Sequence, residues 1–217
     1  MPVNPTYLVL GCGVFGQKAV VEVKKRFPLS TIIAVDKDRD RLSAVSPPAD
    51  LLYHDDAVNY LTRLSEENFS WVAIPALPVH LAYEWLVSSL KKHQQVVRTF
   101  VPQELNPGLP LQLRDDKGSL YLSNTNSCCP ADCVEADELC LITGEPKRKP
   151  LYKLLAEIEH SNIPIHIIRS FQIAPGVGGY RLIDLFQLHR KLTGKEGYHL
   201  VSTACHCHAV IDGLLLK

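Results

Sequence analysis

Apolar residues change their period several times along this chain, and each change marks an element. Residues 7–10 form a short apolar run of the kind that makes a buried strand, and it leads straight into the glycine-rich GCGVFG of 11–16. Over 17–27 apolar positions recur at helical spacing, 31–35 is β-branched and apolar, and the acidic Asp36 follows. Strand, glycine turn, helix, strand and acid make one βαβ unit. Further parallel strands are expected at 71–74, 96–101 and 120–122, with a helix over 79–92 between the first two. Beyond residue 123 the rhythm breaks in SNTNSCCPADCVEADELCLITGEPKRKP, which ends in an exposed turn. Helical spacing returns over 151–160, a strand pattern over 163–173 is interrupted at Pro164, and APGVGGYRLIDLFQLHRKL reads as a glycine turn opening an amphipathic helix. Residues 199–216 read as one or two strands. The expectation is an α/β protein: a Rossmann-like parallel sheet over 1–123, then a smaller cysteine-bearing α/β half over 124–217.

Each position of the glycine loop has a physical task in a dinucleotide-binding unit. Gly11 permits the tight turn, Gly13 lets backbone amides approach a pyrophosphate, and Gly16 lets the helix lie close to the sheet. The helix amino terminus presents the positive end of its dipole to the phosphates. Asp36 would accept hydrogen bonds from the adenosine ribose and repel a 2′-phosphate. This favours NAD over NADP, although Lys37 and Arg39 soften the discrimination. The expected cofactor contacts are Gly11, Cys12, Gly13, Val14, Phe15, Gly16, Asp36 and Lys37. The alternative is a tight turn in an α/β unit that binds nothing. Cys12 reads as a small filler, with a redox-active thiol as the other reading. PGVGG at 175–179 reads as a chain reversal, or as a set of amides for an anion.

The run YLVLGCGVFGQKAV, with IIAVDKDRDRL after it, resembles the nucleotide-binding amino-terminal domains of TrkA-type potassium-uptake regulators over residues 7–75. That resemblance implies nucleotide contacts at Gly11, Gly13, Gly16 and Asp36, with Asp55 or Asp56 near the adenine. The stretch FSWVAIPALPVHLAYEWL, over 69–86, is similar to the strand, proline loop and helix of Gfo/Idh-type dehydrogenases. This likeness implies that His80 stands beside a nicotinamide. The lysine-proline signature of those enzymes is absent from QVVRTFVPQELNPGLP, so their catalysis is not carried over.

Cysteine usage adds a second candidate chemistry. Six of the seven cysteines fall in two windows, 128–140 and 205–207, the latter inside STACHCHAV. Thiolates and imidazoles together suit zinc or an iron–sulfur cluster. If 203–208 is extended, Cys205 and Cys207 face one way and His206 and His208 the other. A helix begun at Pro130 would instead place Cys129, Cys133 and Cys140 within about 40° on one face, as packed core. Cys129 and Cys140 would then lie about 16 Å apart, so all three can share a site only if the stretch is mostly loop. Neither window has the short C-x-x-C spacing of a structural zinc knuckle. The expected ligands are Cys129, Cys133, Cys140, Cys205 and Cys207, with zinc and [4Fe-4S] as alternatives.

Composition narrows the partners. The 217 residues are 46% hydrophobic and 21% charged, with 23 basic and 23 acidic side chains. That balance argues against nucleic acid or an anionic membrane surface as partner. No apolar stretch approaches the roughly 20 residues of a membrane helix, and the amino terminus lacks a signal-peptide pattern, so a cytoplasmic location is expected. Three function classes remain: an NAD-dependent oxidoreductase, which predicts an acid or base beside the nicotinamide; a nucleotide-sensing regulator without turnover, which predicts a homodimer; and a metal-binding protein on a silent Rossmann scaffold.

Overall fold

Strand β1 (Thr6–Leu10) pairs in parallel with β2 (Thr31–Asp36) on one side and β4 (Val72–Pro75) on the other. β2 in turn pairs in parallel with β3 (Leu51–His54). Helices α1 (Val14–Arg26), α2 (Arg39–Ser43) and α3 (Ala57–Thr62) connect these strands, and α4 (Leu81–Leu90) follows β4. The continuous apolar runs of β1 and β2 have a simple cause, since both sheet faces are covered. Leu8, Leu10, Ile33 and Val35 join a core with α3 and α4, while Val9, Ile32 and Ala34 pack on Ala19, Val20 and Val23 of α1. Lys24, Lys25 and Arg26 close α1 where cations complement its dipole. This structure, a computed structural model, describes residues 4–45, 49–127, 129–134, 138–158 and 163–217. Cys128 of the first cysteine window and His160 of the expected helix lie outside them.

The chain is α/β, but neither sheet is purely parallel. The remaining elements are β5 (Val96–Thr99), β6 (Leu111–Arg114), β7 (Leu120–Ser123), α5 (Leu151–Ala156), β8 (Ile165–Arg169), β9 (Phe171–Ala174), β10 (Val177–Arg181), α6 (Leu182–Leu192), β11 (Gly197–Ala204) and β12 (His208–Leu216). The first sheet runs β3-β2-β1-β4-β10-β9, with β10 antiparallel to β4 and to β9. The second runs β6-β7-β12-β11-β8, with β5 also on β12. One buried cluster joins Leu8 and Ala73 of the first sheet to Val201 and Leu214 of the second through Leu86 of α4 and Leu185 of α6. Those two helices therefore fill the space between the sheets.

Four sequence expectations change. The strands near 96–101 and 120–122 do not extend the first sheet; as β5 and β7 they pair with β12. The pattern over 163–173 is two strands, because the chain leaves the second sheet at Ser170, whose N–H bonds Ala204 O at 2.8 Å, and enters the first as β9. The glycines of PGVGG do not open a helix. Gly176 makes the β9–β10 turn at φ 67°, and Gly179 lies in β10 where an added Cβ would run into Ala73 O, so close strand packing accounts for it. Finally, residue 123 does not separate the two sheets, since each takes strands from both sides of it.

Candidate functional site

The glycine loop connects β1 to α1 as its spacing predicts. Gly11 holds φ 99°, and a Cβ there would approach Ala76 O to 2.7 Å and Leu77 Cδ2 to 2.8 Å. A Cβ at Gly16 would overlap Gly11 O. Packing thus demands both glycines. Gly13 differs: it caps α1 with φ −66°, and the nearest atom to an added Cβ is Arg41 Nη1 at 3.9 Å. Space is left open over its backbone, as close approach by a phosphate requires. No side chain caps α1, and Val14 and Phe15 in its first turn are 81% and 68% exposed.

Asp36 ends β2 beneath this loop and is only 5% exposed. Its Oδ2 accepts from Cys12 N at 2.6 Å and its Oδ1 from Asp38 N at 2.8 Å. The carboxylate therefore braces the glycine loop from below. Cys12 turns its side chain into the core with no exposed surface, and burial, reinforced by the charge of Asp36, pushes its thiol up to about 12. A thiol so protonated is a filler and no redox nucleophile. Lys37 is exposed, and its carbonyl meets His54 Nε2 at 2.9 Å. Asp56 spends its Oδ1 capping α3 at Val58 N and Asn59 N, while Asp55 pairs with Arg63.

Two cavities meet at Phe15. A cleft of about 310 Å³ opens at the carboxyl end of β4, walled by Phe15, Ala19, Ile74, Pro75, Ala76, Leu77, Pro78, Gly176, Val177 and Gly178, none of which carries a titratable side chain. Next to it lies a cavity of about 290 Å³ that shares Phe15 and residues 176–178. Its lining includes Cys129, Cys133, Cys140, Cys205, Cys207 and His208. All five cysteines expected as ligands therefore border one space.

Local structure explains how they get there. Cys129, Cys133 and Cys140 lie in loop and turn, not on a helix, which removes the packed-stripe alternative for the described residues. Cys140 begins a turn closed by Gly144 N to Cys140 O at 2.8 Å. The N–H groups of Thr143 and Ile142 hold its thiol below the ordinary value, favouring thiolate. Residues 205–207 form the hairpin turn between β11 and β12, so strand alternation does not apply to them. Cys205, Cys207 and His208 share the cavity, while His206 bends away to Arg148 O at 3.1 Å. The amino terminus of α5 grips the turn through Leu151 N to His206 O at 3.0 Å and Tyr152 N to Cys205 O at 3.3 Å. His208 is not among the ligands expected from the sequence, because an extended strand would put it on the face opposite Cys205 and Cys207. Its Nε2 stands 3.8 Å from Cys129 Sγ, whereas two donors of one tetrahedral zinc lie about 3.6 Å apart. Among the described residues, no three His, Cys, Asp or Glu side chains stand close enough to hold one ion as they are.

His80 is placed away from the cleft. Its Nδ1 lies 2.7 Å from Asp212 Oδ2 and its Nε2 2.7 Å from Thr203 Oγ1, and Ser119 Oγ donates to Asp212 Oδ1 at 2.6 Å. This chain of four polar groups ties the start of α4 to the second sheet, and it has no counterpart in the sequence reading beyond His80 itself.

An uncharacterized protein of Archaeoglobus fulgidus is 28% identical over 145 residues, which is 64% of this chain. The chain spans 63% of the length of that relative. No solved structure matches. The profile of the AF_1314_C family, described as the C-terminal domain of an uncharacterized protein, matches residues 82–217, a region with every cysteine except Cys12. As that match covers more than half of its length, the chain belongs to the AF_1314_C family.

Proposed function

We propose that this protein is a dinucleotide-sensing binding protein: a Rossmann-like half takes NAD at the glycine loop, and the neighbouring cysteine cavity holds an iron–sulfur cluster. The observation that carries the reading is the shared wall. Five cysteines and His208, drawn from two distant segments, surround one cavity that adjoins the cleft at Phe15. The parallel order β3-β2-β1-β4, the open face of Gly13 and the exposed first turn of α1 support the dinucleotide. When bound, such a cluster supplies one-electron redox chemistry.

Sensing is favoured over turnover by the cleft walls. A dehydrogenase needs a group near the nicotinamide to move a proton, and the ten lining residues supply none. His80, the sequence candidate for that role, is engaged with Asp212 and Thr203. A cluster is favoured over a single ion because the cysteines border a space of about 290 Å³ without converging. The approach of Cys129 to His208 supports zinc as the second reading.

Anaerobic purification with metal and sulfide analysis, a visible spectrum and calorimetric titration of NAD tests the proposal. Expected are a brown protein with iron and acid-labile sulfide, NAD binding, and no oxidation of NADH with small carbonyl compounds. Colourless protein with stoichiometric zinc selects the second reading. Protein without metal, or without NAD affinity, refutes the proposal.

A further inference from the structure

We infer that Lys18 and Gly176 couple the dinucleotide cleft to the cysteine cavity, so that filling either site raises the affinity of the other. The inference rests on the two ligands proposed above and adds the contact through which they communicate.

The loop bearing Cys129 and Cys133 is tied by its backbone to two of the three elements that wall the cleft, α1 and the β9–β10 turn. Lys18 Nζ, on α1 one turn beyond Phe15, donates to Ala131 O. Gly176 N, in the β9–β10 turn, donates to Cys133 O at 3.0 Å, and Gln172 Nε2 donates to the same carbonyl at 2.6 Å. Gly176 holds φ 67°, and a Cβ there would run into Ala131 O, so turn and loop touch backbone to backbone with no room to slide. Phe15 and residues 176–178 border both spaces.

Because of these ties, a group that fixes Cys129 and Cys133 also fixes the carbonyls of Ala131 and Cys133. Their donors, Lys18 and Gly176, are then held in the geometry that shapes the cleft. A dinucleotide bound there meets a wall already ordered, and its own binding orders the cysteine loop in return. Coupling between binding sites is necessarily reciprocal. A sensor built this way reports metal status as nucleotide affinity.

The test titrates NADH calorimetrically into the anaerobically purified protein, and into the same protein after its metal has been removed by oxidation and chelation. In the wild type the affinity should fall about tenfold on stripping. In Lys18→Met, which loses one exposed hydrogen bond and keeps the fold by circular dichroism, the difference should shrink to about twofold or less. Loaded Gly176→Ala, with the loop pushed off the turn, should bind NADH as the stripped wild type does. Equal affinities for loaded and stripped wild type overturn the inference, and a Lys18→Met protein with the full difference removes Lys18 from it. Metal content and the heat of NADH binding are read separately. If either is missing from the wild type, the proposed ligands fail; if both are present and independent, only the coupling fails.

Discussion

His80 and Asp212, 132 residues apart in sequence, meet at 2.7 Å where the start of α4 abuts β12, with their side chains 6% and 11% exposed. Asp212 holds this place because its other oxygen is satisfied by Ser119, and His80 because its far nitrogen reaches Thr203. Removing one member strands a buried carboxylate. His80→Ala should therefore cost about 3 kcal/mol of unfolding free energy in urea titrations. NAD affinity should change by no more than about twofold if the histidine acts through packing alone. A stable variant with abolished NAD binding would return His80 to the cleft.

Gly13 and Gly16 of the first loop should respond differently to substitution. Gly13→Asp adds a charged side chain where there is room, so it should keep the fold and abolish NAD binding in calorimetry. Gly16→Ala drives a methyl into Gly11 O and should destabilise by about 2 kcal/mol or more. Unchanged NAD affinity in Gly13→Asp would remove the glycine loop from the binding site.

Cysteine and histidine variants separate the two metal readings. With a cluster, Cys207→Ala should lose most of its iron and His208→Ala should retain it. With a tetrahedral zinc at Cys129 and His208, His208→Ala should lose the metal. In either case stripping should lower the melting temperature, because metal binding contributes folding free energy directly. A melting curve unaffected by metal removal would argue that the cavity holds none.

A histidine pair in the second sheet gives a pH dependence independent of the sites. His166 Nε2 meets His199 Nδ1 at 3.1 Å, and burial, helped by Lys191 and by His199, pulls His166 down to about 4. The unfolded histidine binds its proton near its ordinary value of about 6.5. Between those values the unfolded state holds the extra proton, so this contribution is present above about pH 6.5 and is lost as pH falls toward 4. About 2–3 kcal/mol should disappear over that window. His166→Gln should flatten the curve in denaturant titrations from pH 7 to pH 4; an unchanged slope would assign the dependence elsewhere.

What the sequence discloses here depends on the range of the interactions. The βαβ unit is legible because its signals are local: an apolar run, a glycine spacing, a helical period and an acid. The cysteine grouping is legible as composition, and the five expected residues do border one cavity. The position of His208 is not, because it depends on residues 205–207 turning instead of extending, a choice made by α5 gripping the hairpin from outside. Assignment of β5 and β7 to the second sheet also escapes a local reading. Their apolar patterns fit either sheet, and only the long β12 decides between them. His80 is visible as a residue, but its partners Asp212 and Thr203 come from strands that no spacing rule connects to it.

The chain visits the first sheet, then the second, then returns as the β9–β10 hairpin before finishing in the second. Any attempt to express the AF_1314_C segment as a separate fragment meets this threading directly. A polypeptide beginning at residue 82 would carry β10 without β4, its neighbour in the intact protein. The hairpin would then present unpaired backbone groups along an open edge, the usual template for intermolecular strand pairing. Such a fragment is expected to self-associate, and complementation by a co-expressed 1–81 peptide should restore its solubility.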